Sequence, residues 1–206
     1  MSFGIVNELI DLRSVPSNKA RIHNNHDRNR ETQLLPGTCV HCVQTVKEWY
    51  EVDVPIQPVR SKPYRGWMPA RGISQRDYCS CPQLTVFGTP EHAVEYALTY
   101  LGSSYLWGGM SEQGIDCSGL VYRAYFAIGF LLPRNACDQY AVTKQVNDLR
   151  VGDLVFMRDN THVGIWTGTD MLEATDQGEG IVRRSSLDGV PYTIGRLNIP
   201  QTASPA

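Results

Sequence analysis

A glycine-rich turn that runs straight into a cysteine-headed amphipathic segment constrains this chain more than any other feature. Tyr105-Leu106-Trp107-Gly108-Gly109 is followed by a short polar loop and then by Asp116-Cys117-Ser118-Gly119-Leu120-Val121-Tyr122. Leu120, Val121, Ala124, Tyr125 and Ile128 recur at three- and four-residue spacing, which predicts a helix and not a strand. Asp116 is a good N-cap residue, and that start leaves Cys117 in the first turn, where backbone N–H groups lack partners. The positive end of a helix dipole favours a thiolate over a thiol. From these residues alone two readings stay open: a reactive nucleophile, or a small buried hydrophobe.

The flanking sequence sets the frame. Thr89-Pro90-Glu91 combines a capping hydroxyl, a proline at the first helical position and an acid in the first turn, which predicts a helix start. Val94, Ala97, Leu98 and Leu101 give that helix one apolar face, and Gly102 ends it. After Val151-Gly152-Asp153 the period changes. Leu154–Met157, His162–Trp166, Met171–Ala174, Ile181–Arg183 and Thr193-Ile194 are strand-like and joined by turn residues. Helices first and a meander of strands afterwards make an α+β arrangement. Upstream, residues 1–75 read as a small β-barrel of short strands, with Trp49–Val52 well suited to a pleated surface. Pro55, Pro58 and Pro63 are expected to break those strands, Tyr64–Met68 to form the last one, and His23–Arg30 to be a solvated loop. The proline- and cysteine-marked stretch from Arg71 to Gly88 reads as a connection, with the linker proper at 76–88 and the second domain at 89–206.

Composition narrows the classes. A hydrophobic content of 42% over 206 residues supports a real core. A formal net charge of -2 supplies no basic field for nucleic acid and no polybasic patch for a membrane surface. No apolar run reaches the length of a membrane span. Met1–Asp11 lacks a basic stretch followed by an apolar one, so the expectation is a cytoplasmic protein without a secretion signal. Cys39-x-x-Cys42 and Cys79-x-Cys81 have the look of half zinc sites. Thr38–Val46 reads as a strand that would point Cys39 and Cys42 to opposite faces, so reduced structural thiols and no metal are expected.

A thiolate nucleophile needs a base, and the base needs a third group to orient it. His92 falls in the first turn of a helix and reads as a surface residue. His162 opens an apolar strand, where its side chain can face a cleft. If a two-residue turn within Thr167–Asp170 joins this strand to the next, Gly164 lies opposite Glu173. Glu173 is then diagonal to His162, within reach of its imidazole. An unrelated histidine and glutamate are equally compatible with that spacing.

Four stretches in order, Tyr-Leu-Trp-Gly-Gly at 105–109, Asp-Cys-Ser-Gly-Leu-Val at 116–121, Val-Gly-Asp-Leu-Val-Phe at 151–156 and His-Val-Gly-Ile-Trp at 162–166, resemble the NlpC family. These are papain-like cysteine peptidases acting on bacterial cell-wall peptides. The first half resembles, more weakly, the bacterial SH3-like domains often fused to them, through Asp11–Ser17, Gln33–Gly37, Trp49-Tyr50 and Tyr64–Trp67. The resemblance implies Cys117 as nucleophile, His162 as base and Glu173 as the third polar group, a position more often histidine in the family. It also implies Tyr105 beside the oxyanion, Asp116 and Ser118 lining the pocket for a D-glutamyl residue, and no cofactor.

The same resemblance, with this two-domain layout, implies muropeptide-recycling enzymes that cleave γ-D-glutamyl–diamino acid bonds, typically to meso-diaminopimelate, in peptides beginning with a free L-alanine. The partners are therefore peptidoglycan stem peptides or muropeptides, with neither nucleic acid nor membrane. Tyr64, Arg134 and Asn135 match substrate-recognition positions. Asn135 stands where an aspartate is expected, and Asp138 is close enough to supply the missing charge. The same Cys-His core also supports amidase or acyl-transfer chemistry on other substrates, and a chain of this layout can serve as a non-catalytic wall-binding module.

Overall fold

The computed structural model describes residues 2–79 and 84–200. Nine strands lie in the first part: β1 (Ser2–Val6), β2 (Ile10–Arg13), β3 (Ile22–His23), β4 (His26–Asp27), β5 (Arg30–Leu34), β6 (Cys39–Val46), β7 (Trp49–Val59), β8 (Lys62–Pro69) and β9 (Ile73–Arg76). Seven of them form one antiparallel sheet in the order β5-β2-β8-β7-β6-β1-β9, and β3 and β4 make a separate hairpin. The two ends of that sheet, β5 and β9, are not hydrogen-bonded to each other, so the pairing is that of an open sheet and not of the closed barrel expected above. Leu12, Leu34, Val40, Val52, Val54 and Met68 fill its own core.

Three local expectations change. Pro55 and Pro58 do not end their strand: β7 runs through both, because the ladder to β8 is interrupted between Val54 and Pro58. A proline inside such an irregularity loses no ladder hydrogen bond. The stretch expected as connection begins with β9, which pairs with β1 and buries Ile73. Because β1 lies between β9 and β6, the chain after β9 brings Cys79 to Cys39. The two are joined as a disulfide with Cα atoms 6.1 Å apart, a normal span for such a bond, in place of the reduced thiols expected. Among the described residues Cys42 is bonded to no other cysteine, and Cys81 lies outside them.

The second part carries α1 (Pro90–Leu98), the short pair β10 (Met110–Ser111) and β11 (Gly114–Ile115), α2 (Cys117–Phe126) and α3 (Ala136–Ala141). A six-stranded antiparallel sheet follows, from β12 (Lys144–Val146), β13 (Leu154–Met157), β14 (His162–Trp166), β15 (Met171–Ala174), β16 (Val182–Ser185) and β17 (Thr193–Arg196), in the order β12-β17-β13-β14-β15-β16. Helix α2 lies on β14 and β15, with α1 against its other side. Its apolar stripe, Leu120, Val121, Ala124 and Tyr125, and Ile128 just beyond its end are buried with Leu154, Val163, Ile165 and Leu172 in a second core. That packing places the start of α2 beside the start of β14.

Candidate active site

The site begins with the cap of α2. Asp116 has extended backbone and accepts a hydrogen bond from the Gly119 N–H at 2.6 Å, so Cys117 is the first helical residue. Gly119 is required there: a Cβ would lie 2.5 Å from the Gly109 carbonyl oxygen, where the glycine-rich turn crosses the helix start. The same turn donates its Gly108 N–H to the second Asp116 oxygen at 2.8 Å. Cys117 itself is 8% exposed.

The base arrives on β14. The register Ile165↔Leu172 and Trp166↔Met171 continues to set Gly164 opposite Glu173. A Cβ on Gly164 would come within 2.8 Å of the Leu172 carbonyl oxygen, so glycine lets β15 approach closely. His162 Nε2 and Glu173 Oε2 are 2.5 Å apart, with both residues 4% exposed. Glu173 Oε1 accepts from Ser185 Oγ at 2.6 Å and faces Arg183 Nε at 3.4 Å, both on β16. With Nε2 engaged, Nδ1 is the ring nitrogen left for the thiol. Burial pulls the His162 pKa down, but hydrogen bonds to Cys117 and Glu173 more than offset it and lift it to about 9. For Glu173 burial acts upward, and the hydrogen bonds from His162 and Ser185 bring it down to about 2. A charged imidazolium–carboxylate pair beside a cysteine is the arrangement that can hold a thiolate and return a proton to a leaving group.

A cleft of about 270 Å³ opens over Cys117, walled by Tyr64, Glu31, Tyr105, Trp107, Asn135 and Cys137 among others. Tyr105 is held neutral by burial and by the nearby Cys117 and Asp116, so its hydroxyl keeps a proton to donate. The Tyr64 hydroxyl donates to Glu31 Oε2 at 2.9 Å, and burial likewise holds it protonated.

Arg134 is not on the cleft wall. It is 1% exposed beneath the floor, forking onto both oxygens of Asp116 at 3.0 and 2.8 Å. It also donates to Ser118 Oγ at 2.9 Å and to Thr32 Oγ1 at 2.7 Å. The expected substrate contact is therefore replaced by a structural one, because the capping carboxylate is buried and needs a bidentate cation. Asp116 and Ser118 do reach the cleft, but their polar atoms are engaged inward by this network. Asp138 faces Arg60 at 4.0 Å instead of the cleft, so it does not take the place of an acid at position 135. Glu31 does stand on the cleft wall, and no pattern in the sequence pointed to it. Trp107 was within reach of the sequence reading, since it belongs to the glycine-rich turn.

The stretch His23–Arg30 is a clasp between the two parts and not a solvated loop. His26 Nε2 lies 3.0 Å from Asp176, the Arg28 guanidinium sits 3.9 Å over the Trp107 ring, and Arg30 donates to the Trp107 carbonyl. His92 is exposed and caps α1 through the Thr89 N–H.

Residues 102–194 match the NlpC/P60 family. The matched segment contains Cys117, His162 and Glu173 together with the strands that position them. Among curated relatives, a gamma-D-glutamyl-L-lysine dipeptidyl-peptidase of Bacillus subtilis is 38% identical over 103 residues, 46% of this chain and 35% of that protein. A probable endopeptidase NlpC homolog of Haemophilus influenzae is 36% identical over 92 residues, 43% of this chain and 50% of that protein. The chain thus spans half or less of the length of these two relatives. The crystal structure of an NlpC/P60 family protein from Bacillus cereus superposes with a TM-score of 0.80 at 17% identity, over 96% of this chain and all of that one. Both parts of the molecule therefore share their fold with an NlpC/P60 protein, and the second part has the papain-like NlpC/P60 architecture.

Proposed function

We propose that this chain is a cysteine peptidase of the NlpC/P60 type that hydrolyses the γ-D-glutamyl–diamino acid bond of peptidoglycan stem peptides, serving muropeptide turnover or recycling. The observation that carries the reading is the row Cys117, His162, Glu173, with the cysteine at a helix start and the histidine tied to a buried carboxylate. The Cys117 thiolate adds to the γ-glutamyl carbonyl carbon. The oxyanion is met by the Cys117 N–H and the Tyr105 hydroxyl. His162 then gives its proton to the departing amine as the C–N bond breaks, leaving a thioester. Water, deprotonated by His162, cleaves the thioester and regenerates the thiol.

At the amino end of the cleft, Glu31 supplies the negative charge that Asn135 lacks, so a peptide with a free N-terminal L-alanine is favoured over a blocked one. The first part, an SH3-like domain in this reading, closes that end with Tyr64. Mass spectrometry of products tests this on L-Ala-γ-D-Glu-meso-diaminopimelate, its N-acetylated form and the L-lysine counterpart. Wild-type protein cleaves the free diaminopimelate peptide at the γ-glutamyl bond, and Cys117→Ala, still folded by circular dichroism, releases nothing. An intact peptide after incubation with reduced wild-type protein would rule out this substrate.

A further inference from the structure

The hydrogen-bonded row does not stop at Glu173. Residues two apart on a strand share a face, so Met171 and Glu173 on β15 stand beside Arg183 and Ser185 on β16, in the register Met171↔Ser185 and Glu173↔Arg183. Ser185 Oγ donates to Glu173 Oε1 at 2.6 Å, while Arg183 reaches the same oxygen only at 3.4–3.5 Å from a partly exposed position. Behind this oxygen lies a cavity of about 680 Å³, separate from the cleft over Cys117. Glu173, Arg183 and Ser185 line it with Arg158, Asn160 and Tyr192. One carboxylate oxygen therefore faces the histidine, and the other faces a space into which it could turn. The serine hydroxyl is the short contact that fixes it.

We propose that Ser185 is a positioning residue for the hydrolysis, locking the Glu173 carboxylate in the plane that holds the His162 ring toward Cys117. The proposal rests on the cysteine chemistry inferred above. Arg183 supplements it weakly, since its contact is long and screened by solvent. Removing the hydroxyl makes the carboxylate slightly more basic, which by itself would strengthen its hold on the imidazolium. The opposite effect is larger, because a short charge-assisted contact is lost once the carboxylate is free to turn toward the cavity.

The test uses the full chain with Ser185→Ala and Ser185→Thr. It reads kcat and KM against pH, together with the pH dependence of iodoacetamide alkylation at Cys117, resolved by peptide mass spectrometry. Ser185 is only half-buried and lines a cavity, so its truncation leaves the core intact. Ser185→Ala is expected to lower kcat about tenfold with KM unchanged. The same variant moves the alkaline limb of the kcat profile toward lower pH and the onset of alkylation toward higher pH, and Ser185→Thr restores both. In a Glu173→Gln background, Ser185→Ala adds nothing, as required of a residue that acts through Glu173. An unmoved pH limb in Ser185→Ala, or losses that multiply in the double variant, would overturn the proposal. Alkylation of wild-type Cys117 that is indifferent to His162→Ala would overturn the underlying chemistry as well. If alkylation depends on His162 but the peptide is not cleaved, only the substrate fails, and the alkylation profiles still decide the role of Ser185.

Discussion

Two histidine–carboxylate pairs occur among the described residues, and they have almost nothing in common beyond their atoms. His162 and Glu173 meet at 2.5 Å with side chains 6% exposed on both sides. His26 and Asp176 meet at 3.0 Å with side chains 13% and 40% exposed. The first pair is walled by the core between α2 and the second sheet, and its carboxylate is gripped from behind by Ser185. The second is a surface clasp that ties the β3–β4 hairpin to the loop after β15, beside the rings of Tyr105 and Trp107. In the first pair the hydrogen bonds to Cys117 and Glu173 outweigh burial and lift His162, with Ser185 holding the carboxylate from behind, whereas the second pair joins two surface segments. The exposed pair is worth about 1 kcal/mol or less to stability.

The comparison is broken most severely by removing the two histidines in turn. His162→Ala should reduce turnover by about 10²–10⁴-fold, the usual contribution of a positioned acid–base group. His26→Ala should leave kcat within a few-fold of wild type, with the larger part of its effect on KM through the cleft wall. Steady-state kinetics on the free peptide separates the two, and equal losses would dissolve the distinction. The buried side of the site can also be probed beneath the cysteine. Arg134→Met leaves the Asp116 carboxylate buried without its cation and should lower folding stability by about 3–5 kcal/mol in denaturant titrations. Loss of the exposed clasp in His26→Ala should barely register in the same titration.

A finer test uses pH. His162 is raised to about 9, above the ordinary histidine range, so its contribution to stability is complete below about pH 6.5 and is lost as pH climbs through 9. Glu173 is depressed to about 2, so its contribution is present above about pH 4.5 and is lost as pH falls toward 2. Activity that needs the imidazolium should fall on the alkaline side near pH 9. Glu173→Gln should cut kcat/KM by about 10- to 100-fold, one charge-assisted hydrogen bond's worth, and draw that limb down toward the ordinary histidine range. A limb that stays in place would mean that Cys117 alone sets it.

Much of this was legible in the chain. The three- and four-residue spacing after Cys117, the capping aspartate and the two-residue turn before Glu173 are local signals, and local sterics and hydrogen bonding decide them. Short apolar runs bounded by turn residues also marked β13, β14 and β15 closely, because strands buried on both faces read as near-continuous apolar stretches. Other features were invisible for a common reason. Arg134 carries the sequence signature of a binding residue, yet whether it meets substrate or a buried carboxylate depends on what packs over it. Here that is Thr32, contributed by a strand 102 positions away in sequence. Glu31, Ser185 and the Cys39–Cys79 bond likewise gain their roles from strands brought together by long-range pairing. The polar clasp at His26 read as a solvated loop because its composition says only that it is polar, and not that Trp107 and Asp176 lie beneath it.

By itself, then, the sequence determined a cysteine at the head of a helix, a histidine at the head of a strand and a glutamate one hairpin away. Their spacing is set by helix, strand and turn geometry. Only the tertiary structure decided that these three meet, that Ser185 backs the row and that Arg134 lies beneath it. Burial and charge pairing are properties of whatever surrounds a residue, and those surroundings come from distant parts of the chain.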